Sequence, residues 1–178
     1  MTEIWFIRHT SVDVPKGTCY GRSDVPLQST FPQESAKVRQ LLLGETFDEV
    51  WSSPLSRCTR LASACGYETV VQTDDRLLEL DFGAWEMKRF DDITDVQLQR
   101  WFDDWLNVSP TGGESFRQQC QRVARFLDDL RRRDVHRVLV FAHGGVLLAA
   151  GIYAGLYTFE NAFSKLTPYG GLLSIGLP

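Results

Sequence analysis

The sequence predicts an α/β fold: a three-layer α/β/α sandwich around a mostly parallel sheet. Two patterns carry that expectation. Short apolar runs alternate with segments whose apolar residues recur at helical spacing, as in successive βαβ units. Proline, glycine and hydroxyl residues punctuate the boundaries between them. Size and composition agree, because 178 residues at 43% apolar and 24% charged support one hydrophobic core and are unlike disordered or fibrous chains. No linker, repeat or low-complexity stretch divides the chain, so one domain over residues 1–178 is expected.

The elements follow in order. Glu3–Ile7 is an apolar run suited to a central buried strand, and a Pro-, Gly- and Asp-rich loop then runs from Thr10 to Pro26. Thr30-Phe31-Pro32-Gln33 has capping-box spacing with proline in the first turn, predicting a helix to about Leu43, stopped near Gly44. Phe47–Trp51 reads as a second strand. Ser53-Pro54 reads as a cap followed by proline, opening a helix to about Cys65. Thr69–Gln72 is a third β-rich run. Phe82, Trp85, Phe90, Trp101, Phe102 and Trp105 then crowd among carboxylates, an excursion over about residues 82–113 that is partly helical after Thr94. Beyond Thr111-Gly112-Gly113, apolar residues from Phe116 to Leu130 recur at helical spacing, closed by Arg131-Arg132-Arg133 as a solvated helix end. Arg137–Ala142 is the clearest buried strand, a glycine-started helix follows to about Ala154, and Leu172–Ile175 suits a last strand.

Ligands of such sheets bind beyond the carboxyl ends of the strands. The polar residues there are Arg8 and His9 after the first strand, Ser52, Ser53 and Arg57 after the second, Glu79 beyond the third, and His143 after Arg137–Ala142. His136 precedes its strand and falls at the opposite edge. Two guanidiniums, with the helix start at Ser53-Pro54 and the glycine turn after His143, make a cradle for phosphoryl oxygens. A histidine among positive charges favours its neutral, nucleophilic form, and a nearby carboxylate supplies a proton to a leaving alkoxide. These residues alone leave two other readings open. His9, His143 and Glu79 are a possible zinc set, opposed by the two arginines beside them. The same cradle also suits a catalytically silent phosphate-binding module.

The motifs resemble those of the histidine phosphatase superfamily, the phosphoglycerate mutase-like family. RHT at Arg8–Thr10, SSPLSR at Ser52–Arg57, LLELDFGAWE at Leu77–Glu86, GGES at Gly112–Ser115 and AHGG at Ala142–Gly145 occur in the family's order. The resemblance implies a phosphoglycerate mutase-like fold and hydrolysis through a phosphohistidine, without cofactor or metal. His9 attacks phosphorus, Arg8, Arg57 and His143 hold the transferring oxygens, and Glu79 acts as acid and then base. Gly144 adds a backbone donor. Thr10 stands where the family has glycine and offers a hydroxyl to phosphate. YGRSDVPL at Tyr20–Leu27 and the FGAWEM stretch are similar to α-ribazole-5′-phosphate phosphatases of cobalamin biosynthesis, with a broad-specificity phosphatase or a mutase-type phosphotransferase as the alternative. Pro15 and the altered Leu27-Gln28-Ser29-Thr30-Phe31 segment depart from the mutase pattern.

Charge narrows the partners. Nineteen basic against 23 acidic side chains give a net charge of −4, so the chain as a whole has no attraction for nucleic acid or anionic membrane. A small phosphorylated metabolite is the expected ligand, and the sequence assigns no oligomeric state. No basic segment precedes an apolar leader-like run, no window approaches the ~18 apolar residues of a spanning helix, and the four cysteines form no Cys-x-x-Cys unit. A cytoplasmic protein with reduced thiols is expected.

Overall fold

A computed structural model describes residues 1–178. Five strands form one sheet: β1 (Thr2–Arg8), β2 (Glu49–Ser52), β3 (Val71–Thr73), β4 (Arg137–Ala142) and β5 (Leu172–Leu177), in the order β3-β2-β4-β1-β5. The first four run parallel and β5 pairs antiparallel with β1, so the sheet is mostly parallel as expected. The helices are α1 (Phe31–Leu41), α2 (Ser56–Ala64), α3 (Gln97–Asp103), α4 (Phe116–Arg131) and α5 (Gly144–Tyr153). None is long and apolar enough to cross a membrane.

Period-two alternation splits the core between the sheet's faces. Ile4, Phe6, Val138, Val140 and Ala142 join Val123, Phe126, Leu127 and Leu130 of α4 and Val146, Leu147 and Ala150 of α5. Ile7, Leu139 and Phe141 pack with Val38 of α1 and Cys58, Leu61 and Ala62 of α2. Helices therefore cover both faces, as a buried parallel sheet requires. A third cluster lies outside this repeat, where Cys19, Trp85 and Ile93 gather Phe82, Phe90 and Trp101. That is the predicted aromatic excursion, and α3 is its helical part.

Two helix starts differ from the sequence reading. Thr30 makes no capping bond to the backbone; its hydroxyl donates to Glu34 Oε1 at 2.6 Å, and the same carboxylate accepts from Ser11. Ser53 does not cap α2, which begins at Ser56 after an extended Leu55. Asp24, from the long loop, accepts there from the Ser56 amide and hydroxyl at 3.1 and 2.7 Å. A cap from a distant loop leaves no local spacing to read. Conversely, Ser115 and Gln118 form a full capping box on α4, a signal present in the sequence as Ser-x-x-Gln.

The register levels the functional ends. Arg8 lies opposite Ala142, and Ser52 opposite Phe141, so the residues following β1, β2 and β4 emerge side by side at one rim. Glu79 reaches that rim from the far side. After β3 a short 3-10 turn (Asp75–Leu77) buries Leu77 in the core, and Arg122 of α4 donates to the carbonyls of Arg76 and Glu79 at 2.8 and 3.0 Å. Glu114, from the GGES segment, is paired with Arg122 and so serves this scaffold.

Candidate functional site

Beyond the strand ends lies a cavity of about 240 Å³, lined on one side by Arg8, His9, Glu79, Gln119, Gly144 and Gly145 and on the other largely by aromatic and aliphatic side chains. His9 is almost wholly buried at the cavity wall. Its Nδ1 lies 2.7 Å from the Thr10 carbonyl, an acceptor only, so Nδ1 carries the proton and Nε2 keeps its lone pair. Burial, with Arg57 and then Arg8 adding positive charge, lowers the His9 pKa to about 3. The ring is neutral and its nucleophilic nitrogen is fixed by the tautomer.

Arg57 and His143 do not line the cavity. Both are fully buried, and His143 packs edge-on against His9 with ring centres 5.2 Å apart. The Arg57 Nε–H donates to His143 Nδ1 at 3.2 Å, while Nη1 and Nη2 donate to the carbonyls of Ser23 and Gly21 at 2.8 and 2.5 Å. His143 Nδ1 therefore accepts, its proton sits on Nε2, and that nitrogen meets the Ser53 hydroxyl at 2.7 Å. Burial and then Arg57 hold the His143 pKa well below the ordinary range. His143 is thus neutral, with both nitrogens engaged by protein. The same bonds disqualify it as a metal ligand, since neither nitrogen has a free lone pair.

Arg8, by contrast, lines the cavity. Arg8 is held by an Nη1 bond to the Thr167 carbonyl at 2.7 Å and by Tyr169, whose ring centre is 4.1 Å from its guanidinium carbon. Its Nε has no partner, and neither does the Thr10 hydroxyl, fully buried beside His9. Two buried polar groups without partners next to a neutral histidine are what a missing oxyanion would satisfy. At the start of α2 the Ser56 amide is not free for a ligand, because Asp24 takes it. At α5 the glycines admit the site's own groups: a Cβ on Gly144 would lie 3.3 Å from the Arg8 guanidinium, and one on Gly145 would meet Glu79 Oε1 at 2.4 Å.

Glu79 Oε1 accepts from the Leu80 amide at 2.9 Å and from Gln119 Nε2 at 2.8 Å, and Oε2 accepts from the Gly145 amide at 3.2 Å. A carboxylate offers about four acceptor positions. The unfilled one is on Oε2, which is where a proton can be taken up or released. Gln119 escaped the sequence reading. Its signal was a polar residue four before Val123, on the buried face of α4, among apolar neighbours.

The opposite wall is built by the excursion and by the segment before β5. Trp101 stacks on Phe90 at 5.8 Å and meets Trp85 edge-on at 5.9 Å, while Trp105 meets Phe163 edge-on at 4.3 Å. Trp101, Trp105, Phe82, Phe116 and Phe163 all face the cavity. Tyr20 and Tyr169, their hydroxyls 2.8 Å apart, bridge two loops beside His9; the sequence reading gave neither a role at the site, naming Tyr20 only as the start of the YGRSDVPL segment. The signal of Tyr169 was weak, since it is a lone aromatic in a loop.

Comparison with known proteins agrees with this geometry. The adenosylcobalamin/alpha-ribazole phosphatase of Escherichia coli (strain K12) is 32% identical over 151 residues, covering 81% of this chain and 74% of that protein. Phosphoserine phosphatase 1 of Hydrogenobacter thermophilus is 28% identical over 176 residues, covering 96% and 82%. The crystal structure of the alpha-ribazole phosphatase from Shigella flexneri superposes with a TM-score of 0.90 at 26% identity, over 99% of this chain and 91% of that one. A family model described as histidine phosphatase superfamily (branch 1) matches residues 4–166, and the chain belongs to that superfamily.

Proposed function

We propose that residues 1–178 act as one domain that hydrolyses a phosphomonoester through a phosphohistidine at His9. The observation that carries this reading is the neutral His9, its Nε2 lone pair left free by the Nδ1 bond to Thr10, between the Arg8 and Arg57 charges. His9 Nε2 attacks phosphorus, the P–O bond to the leaving group breaks, and Glu79 Oε2 gives that oxygen its proton. Water then loses a proton to Glu79 and attacks phosphorus; the P–N bond breaks, and phosphate leaves with His9 neutral again. Arg8 Nε and the Thr10 hydroxyl receive phosphoryl oxygens directly, with the Gly144 amide at the start of α5. Arg57 contributes its charge from beneath and locks the His143 tautomer. Neither Thr10 nor a neutral His143 hinders this sequence, which needs no cofactor or metal.

We assign the substrate as α-ribazole 5′-phosphate, placing the enzyme in cobalamin biosynthesis. The aromatic wall suits a flat, apolar base on the leaving group, and two of the relatives above carry that activity in their names. Arg8 is the lone cation on the lining, with no second basic residue to hold another acidic group, which disfavours a mutase. A cytoplasmic setting is supported by four free cysteines, none in a disulfide. The test is alkaline-quench labelling with ³²P-substrate, followed by turnover of α-ribazole 5′-phosphate, O-phosphoserine, 3-phosphoglycerate and 4-nitrophenyl phosphate. A base-stable, acid-labile phosphoenzyme and at least tenfold preference for the riboside are expected. Failure of the label sinks the mechanism; a flat substrate profile reduces the assignment to a general phosphatase.

A further inference from the structure

Gln119 is fully buried, yet it is polar and half unsatisfied: Nε2 donates to Glu79 Oε1, while its own Oε1 has no partner. The opposite orientation of the amide would set its oxygen against a carboxylate oxygen, so the donor end faces Glu79 for electrostatic reasons. A leucine or methionine would fill this place without an orphaned acceptor. Stability of the fold does not account for the residue, and its one bond goes to the Glu79 carboxyl.

The lone-pair count gives that bond a consequence. With the Leu80 amide and Gln119 both on Oε1, that oxygen has no room for a proton, and only Oε2 retains an open position. Removing Gln119 frees a position on Oε1, and the proton then has two homes, one of them turned from the leaving group. Gly145 belongs to the same device, since a Cβ there would lie 2.8 Å from both amide heavy atoms of Gln119. We propose that Gln119 is a positioning residue which, by filling Oε1 of Glu79, confines the transferable proton to Oε2. This rests on the phosphohistidine reading above.

The role predicts a dependence on leaving group. Expulsion of a primary alkoxide needs a well-placed proton, whereas 4-nitrophenolate leaves without one. In Gln119→Met, rapid-quench formation of phosphoenzyme from α-ribazole 5′-phosphate or glycerol 1-phosphate is expected to slow ~10–100-fold, within the usual range for general acid catalysis. Formation from 4-nitrophenyl phosphate is expected to stay within about twofold, and the variant to melt no lower than the parent. Should the methionine variant not fold, Gln119→Leu is expected to give the same split. Equal slowing with both leaving groups would mark Gln119 as merely structural and overturn the proposal, as would no slowing with either. If the parent enzyme forms no phosphohistidine, the proposed function itself falls. If it forms one and the variants show no split, only the role of Gln119 does.

Discussion

The two walls of the cavity are made by different physics. The polar wall and the buried layer behind it sit on the ends of β1, β2 and β4, tied by hydrogen bonds at defined nitrogens and oxygens: His9 to Thr10 at the wall, Arg57 to His143 and His143 to Ser53 beneath it. The aromatic wall comes from 3-10 turns, α3 and the segment before β5, and its contacts are ring on ring, at centroid distances from 4.3 to 6.3 Å. Hydrogen bonds specify protonation and direction, whereas ring contacts specify little beyond area and shape. The first wall is therefore suited to one reaction, and the second can change its preferred leaving group without disturbing that reaction.

The largest test of this division is His9→Ala. Labelling is expected to vanish and kcat to fall on the order of 10⁴-fold or more, with the aromatic wall intact. Next come the guanidiniums. Arg8→Ala and Arg57→Ala are each expected to lower kcat/KM by about 10²–10³-fold, but they should separate in thermal melts. Arg57→Ala strands His143 Nδ1 and two carbonyls in the interior, at about 1–3 kcal/mol for each buried group left unpaired, so it should melt lower than Arg8→Ala. Equal melting would mean that the polar wall is not the hydrogen-bonded unit described. On the other wall, Trp101→Ala is expected to raise KM for α-ribazole 5′-phosphate roughly 10–100-fold while leaving glycerol 1-phosphate turnover nearly unchanged. A matching loss for glycerol 1-phosphate would break the comparison.

The smallest effect is on stability against pH. His9 and His143 are held neutral when folded but have ordinary values near 6.5 when unfolded. Below that value the unfolded chain binds protons that the native one refuses, so stability falls as pH drops from 6.5 and is fully present above it. Each histidine contributes a slope of about 1.4 kcal/mol per pH unit toward acid. Denaturant melts of His143→Asn between pH 6.5 and 4.5 should lack one such increment, and an unchanged slope would mean that His143 already carries a proton in the native state.

What the sequence disclosed follows the same line. The apolar runs at Glu3–Ile7 and Arg137–Ala142 announced β1 and β4, and their first polar followers were the site residues, because in a parallel sheet strand ends are where ligands bind. Arg57 was found by its place one turn beyond β2. Its bonds to Gly21 and Ser23 were not, since they join residues more than thirty positions apart through loop carbonyls that any sequence possesses. The cap from Asp24 was hidden for the same reason. Thr30 misled because the Glu34 side chain competes for its hydroxyl. Gln119 was visible as an anomaly on an apolar face, but its meaning needed Glu79, forty positions earlier, to be placed opposite. The crowd of aromatics was plain, whereas which of its rings face the ligand depended on Phe163, from a segment with no periodic signal.

The anchoring of Arg8 ties the first strand to the segment that leads into the last. Its guanidinium is fastened to Thr167, 159 positions later in the chain, and the Gly170 amide donates to the carbonyls of Arg8 and His9. The Arg8 side chain is thus set from across the fold, by the turn over residues 167–171. Such long-range closure is slow relative to helix formation. The placement of this guanidinium is therefore tied to the seating of the antiparallel border strand, since the turn that holds it leads directly into β5.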